Sequence, residues 1–126
     1  MKKIVAKLKD KSVIKGMTND FSPHKKSFHV RVGNGKVESI DVEDLKAVFF
    51  VKDHAGNKDR KKQYKDSRPW EGIRIKVIFH DDEEIVGYTP HHAFDGIGFF
   101  LIPADMKSNN EKIFVITSST KDIIYL

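Results

Sequence analysis

The sequence predicts an all-β protein made of two tandem five-stranded, barrel-like units related by internal duplication. Three observations carry this. Apolar and polar residues alternate at period two through short segments. A set of residues recurs at a fixed offset of 71. Each copy then closes on a four-residue apolar run.

The repeat is decisive for the fold and comes first. Ile4-Val-Ala-Lys-Leu-Lys-Asp10 aligns with Ile75-Lys-Val-Ile-Phe-His-Asp81, and the same offset pairs Ile14 with Ile85, Gly16 with Gly87, Thr18 with Thr89 and Phe28 with Phe99. The closing runs, Val48-Phe-Phe-Val51 and Ile123-Ile-Tyr-Leu126, align at an offset of 75, so the second copy carries four extra residues in one loop.

Each copy reads as five strands. Ile4, Ala6 and Leu8 face one way and Lys7 and Lys9 the other, the alternation of a half-buried strand. Asp10-Lys-Ser12 is a polar turn. Val13–Met17 is the second strand, its Gly16 marking a bulge or sharp bend. Ser27–Val32 is the third, and Gly33-Asn-Gly35 is a hairpin signal because those residues accept positive φ at little cost. Val37–Val42 and Ala47–Val51 complete the first copy, with one helical turn over Asp41–Lys46 as the alternative between them. In the second copy the strands are Ile73–Phe79, Glu84–Tyr88, Gly98–Ile102, Lys112–Thr117 and Asp122–Leu126. The organisation is therefore a first unit over residues 1–51, a basic linker over 52–72 and a second unit over 73–126. Trp70, beside Pro69, reads as a plug docking the linker onto a barrel. A unit of about 50 residues buries too little surface alone, so the copies should pack together or share sheet edges.

Composition narrows the function. The 126 residues are 39% hydrophobic and 33% charged, with no cysteine, which excludes disulfides and thiolate chemistry. The N-terminus alternates Lys with apolar residues and has no continuous apolar core, so no signal peptide, no membrane partner and a cytoplasmic location are expected. The net charge of +5 is uneven: residues 1–36 hold ten Lys/Arg against two Asp, whereas residues 73–126 hold five basic residues against eight acidic ones. A basic front points to an anionic partner, or to two faces that attract each other.

Leu8-Lys-Asp-Lys-Ser-Val-Ile-Lys-Gly16 resembles the first motif of the Sm-like (Hfq-like) family of small five-stranded barrels, and Phe79 through Asp81 to Gly87 repeats its spacing. The chain is also similar, and more closely, to a recurrent bacterial domain of unknown function, through Gly87-Tyr-Thr89, Phe99-Phe100 and Pro103-Ala-Asp-Met-Lys-Ser-Asn-Asn110. The Sm-like resemblance implies an architecture. It does not carry RNA binding, because the basic-Gly step that family places before its fifth strand is replaced by Val42-Glu-Asp-Leu45 and Thr117-Ser-Ser-Thr120.

No sequence pattern asks for catalysis. There is no Gly-x-Ser-x-Gly, P-loop or dinucleotide fingerprint. His91-His92-x-x-Asp95 matches no zinc spacing, so neither a metal nor a cofactor is expected. Asp81-Asp-Glu-Glu84 occupies a turn. The expectation is a non-catalytic binding or assembly module with a protein partner or self-association. The alternative is single-stranded nucleic-acid binding through Lys7, Lys9, Phe21, His24, Lys25, Lys26, Arg60, Lys61, Lys62 and Tyr64, since basic grooves with stacking aromatics hold such strands. The loop residues Pro103, Asp105, Ser108, Asn109 and Asn110 form a second candidate interaction site.

Overall fold

The computed structural model describes residues 1–52, 72–90, 96–105 and 109–126. It contains ten strands: β1 (Lys2–Leu8), β2 (Val13–Thr18), β3 (Ser27–Arg31), β4 (Val37–Asp41), β5 (Leu45–Val51), β6 (Ile73–Phe79), β7 (Glu84–Thr89), β8 (Gly98–Pro103), β9 (Asn110–Ile116) and β10 (Thr120–Tyr125). There is no α-helix among the described residues, and none is long and apolar enough to cross a membrane. Short 3-10 turns, Val42–Asp44 and Thr117–Ser119, lead into β5 and β10. The first settles the ambiguity over Asp41–Lys46 in favour of a helical turn.

All ten strands join one open antiparallel sheet in the order β10-β6-β7-β8-β9-β5-β1-β2-β3-β4. The expected picture of two separate barrels therefore needs correction. The hydrogen-bonded ladder passes from one half to the other through β5 and β9, where Val48 faces Phe114 and Phe49 faces Ile113, with one register shift between Phe50 and Val51. The physical reason is burial on both faces. Even-numbered residues of these strands (Val48, Phe50, Phe114, Ile116) enter one apolar cluster with Ile4, Phe28 and Val30. Odd-numbered ones (Ala47, Phe49, Ile113, Val115) enter a second with Ile75, Val77 and Phe79. A strand buried on both faces must be apolar throughout rather than alternating, which is what Val48-Phe-Phe-Val51 and Ile113-Phe-Val-Ile116 are.

Registers recur between the halves. Ile4 opposite Gly16 in β1–β2 has its counterpart in Ile75 opposite Gly87 in β6–β7. Met17 opposite Arg31 corresponds to Tyr88 opposite Ile102. Leu8 opposite Leu45, past an irregularity in the ladder, corresponds to Phe79 opposite Thr120, past another. The first turn of each half uses one residue at positive φ, Lys11 at 74° and Asp82 at 69°.

Gly16 and Gly87 are explained by close approach. A Cβ at Gly16 would run into the Arg31 carbonyl oxygen and lie 2.6 Å from Val30 Cγ1; at Gly87 it would run into the Ile102 carbonyl oxygen and lie 2.9 Å from Leu101 Cγ. The ladders between β1 and β2 and between β6 and β7 pass these glycines without a register shift. In place of the bulge expected at Gly16 there is a close approach of β2 to its neighbour β3.

Candidate interaction edges and the junction groove

At the junction the two halves are tied by polar contacts as well as by the ladder. Lys46, on β5, donates to Asp81 Oδ2 at 2.7 Å and to Glu83 Oε1 at 2.5 Å, in the turn after β6. Its ammonium also sits 4.7 Å from the centre of the Phe79 ring. Burial works against the charged form of Lys46, but the bonds to Asp81 and Glu83 outweigh it and leave its pKa raised. The same bond, chiefly, holds Asp81 below the usual carboxylate value. Lys9 donates to Ser118 Oγ at 2.9 Å, and Ser119 Oγ donates to the Lys46 carbonyl at 2.8 Å. None of these contacts was visible in the sequence, because each joins residues dozens of positions apart.

Beside the junction lies a groove of about 450 Å³, where Lys7 and Lys15 face Glu83, Glu84 and Asp105. Lys7 Nζ stands 3.8 Å from Glu83 Oε2 and 4.6 Å from the centre of the Phe49 ring. Four of the five residues of the candidate interaction loop reach this groove: Pro103, Asp105, Asn109 and Asn110. Pro103 and Asp105 are buried rather than displayed, and Asn109 accepts a bond from the Lys52 N–H at 2.9 Å, holding the loop to the end of β5. Ser108 lies outside the described residues.

The nucleic-acid candidates do not gather into one basic surface. Lys7 lines the groove with Glu83, whereas Lys9 turns toward Ser118. Lys9 falls in the turn just past the end of β1, so the alternation that would set it beside Lys7 does not extend to it. Phe21 is a core plug: its ring centre lies 5.1 Å from that of Phe28, 5.2 Å from Phe114 and 5.5 Å from Phe50, all edge-on. Next to it, Asp20 accepts from the His29 and Thr18 sides of the loop and anchors it. The His29 bond is the main cause of the lowered Asp20 pKa. His24, Lys25 and Lys26 are exposed on this loop, but Lys26 borders a cavity that also contains Asp41 and Glu43. Arg60, Lys61, Lys62 and Tyr64 lie outside the described residues, as do Trp70, His91, His92 and Asp95.

The two ends of the sheet are the most informative surfaces. Among the described residues, β4 and β10 each pair on one side only. In β5 the closing run is fully enclosed, with Val48 0% and Val51 7% exposed. In β10 the equivalent run is open: Ile124 is 38%, Tyr125 57% and Leu126 58% exposed. Across the sheet, Val37 on β4 is 54% exposed. Most of the large exposed apolar side chains among the described residues thus belong to the two edge strands and the residue that follows β10.

The fold and these surfaces define an all-β, open-sheet protein with a polar-laced internal junction and two apolar-bearing edges that no other described strand pairs. The chain belongs to a family of unknown function (DUF6982), whose model matches residues 1–126. No curated protein and no solved structure matches it.

Proposed function

We propose that this chain is a non-catalytic assembly module that joins protein chains through its open sheet edges. It is built from two copies of one five-stranded, Sm-like unit related by internal duplication. The matching registers of the two halves support the duplication. The observation that carries the assembly reading is the contrast between Val48–Val51 and Ile123–Leu126. Both runs have the composition of a strand covered on both faces, yet only the first has that cover. Exposed edges bearing apolar side chains recruit further strands unless charge, proline or a covering loop blunts them. β10 has Lys121 and Asp122 near its start, but its last two residues and Leu126 are all apolar.

The test is sedimentation of the full chain over a wide concentration range at low and high salt. Wild type should associate, and association should survive high salt because backbone pairing and apolar contact are little screened. Ile124→Lys with Tyr125→Lys, at two exposed positions, should remain folded and lose association. A wild-type chain monomeric throughout would overturn the reading. The exposed His24-Lys-Lys26 loop supports a second reading, single-stranded nucleic-acid binding. It is favoured instead if mixed single-stranded RNA binds at low salt, binding falls steeply with salt, and Lys25→Gln with Lys26→Gln weakens it.

A further inference from the structure

Resting on that assembly reading, we infer that the occupant of the β10 edge is β4 of a second copy of this chain, added antiparallel in the register that β9 uses on β5. The internal junction is a template for this contact. β5 and β10 are equivalent at an offset of 75, and so are β4 and β9. In the chain, Phe49 faces Ile113 and Phe50 faces Lys112. Translating both strands puts Ile124 opposite Glu38, and Tyr125 opposite Val37, of the second copy. This covers Ile124, Tyr125 and Val37, three of the large apolar side chains that are exposed among the described residues.

Charges follow the same translation. Inside the chain Lys46 reaches Asp81; the equivalent pair between copies is Lys121 and Asp10. Inside the chain Lys9 reaches Ser118; the equivalent pair is His80 and Glu43. All four of these residues are exposed, and each pair is of opposite sign when the histidine is protonated. Lys121 at present bonds its own Asp82 at 3.1 Å, a surface contact that is easily exchanged. The contact uses different surfaces on the two chains, so each added copy leaves one edge of each kind for the next. It also explains why β4 is polar where β9 is apolar. Val37-Glu-Ser-Ile-Asp41 stands where β9 has Lys112-Ile-Phe-Val-Ile116, giving an edge that remains soluble when unoccupied.

Because the chain has no cysteine, single-cysteine variants report the geometry directly. Ile124→Cys and Glu38→Cys are made separately, then mixed under mild oxidation. Cross-strand partners lie about 4.5–5.5 Å apart at Cα, within disulfide reach. The mixture should give a covalent dimer as the main product, and neither variant alone should do so. Ile124→Cys cross-linking to itself would overturn the head-to-tail contact while leaving edge assembly intact, since it means β10 pairs with β10. Absence of cross-linking in a mixture that still associates by sedimentation would overturn the register and direction. Absence of association altogether would remove this inference and the assembly reading together.

Discussion

Phe114→Ala is expected to cost about 3–5 kcal/mol of unfolding free energy, the range for truncating a buried aromatic. Phe114 is 1% exposed. It lies on β9, in the second half of the sequence, but its ring packs in the first half's cluster, 4.9 Å from the centre of Phe100 and 5.2 Å from Phe21. Alanine would leave a void with rings on two sides that cannot collapse into it without disturbing Phe50 and Phe28. The loss should appear in chemical denaturation as one transition at lower denaturant with an unchanged slope. The shared clusters require both halves to unfold together. A neutral result, or two separated transitions, would contradict the junction described here.

The second large effect is expected at Gly87. Valine there would drive its Cβ into the Ile102 carbonyl oxygen and against Leu101. The obstacle is backbone, so no rotamer relieves it. The cost should reach about 3 kcal/mol or more, at or beyond the top of the usual overpacking range, and Gly16→Val should behave alike. Gly33→Ala is the control: nothing lies within 4 Å of its added Cβ, and a change within about 0.5 kcal/mol is expected. Thermal or denaturant melts of these variants check the prediction. Equal effects at Gly33 and Gly87 would mean that glycine composition, not the close approach of β2 to β3 and of β7 to β8, sets the response.

These two sites show what local pattern reveals and what it leaves out. The strands follow from side-chain alternation and turn chemistry, because both are set by near neighbours in sequence. Gly16 and Gly87 were visible as special positions, but the reason was not: the blocking carbonyls belong to a neighbouring strand. The pairing of β5 with β9 was likewise hidden. Continuous apolarity in Val48–Val51 announces burial on both faces without naming what lies alongside. Ile113–Ile116 announces the same, and only the fold puts the two together. Phe21 sits among Ser, Pro, His and Lys, so its neighbourhood described a solvated loop. The bonds that Asp20 accepts from His29 hold that loop against the sheet, with the ring in the core. Strict alternation puts Lys7 and Lys9 on one face, but β1 ends at Leu8 and Lys9 lies in the turn. The candidate edges were legible in part. The offset of 75 makes Ile123–Leu126 the equivalent of Val48–Val51, but its lack of cover is a property of strand order, which periodicity does not contain.

On the proposed reading, β10 and β4 are pairing surfaces for an added strand. Amide hydrogen exchange of the full chain, followed at increasing protein concentration, is the decisive check, because exchange reports backbone pairing strand by strand. Outward-facing amides within Thr120–Tyr125 and Val37–Asp41 should slow together as concentration rises. Those of the turn at Asn34 should keep one rate, and those of β5 and β9 should be protected at every concentration. Edge amides that exchange at the same rate from the most dilute to the most concentrated sample would show that neither edge takes up a strand.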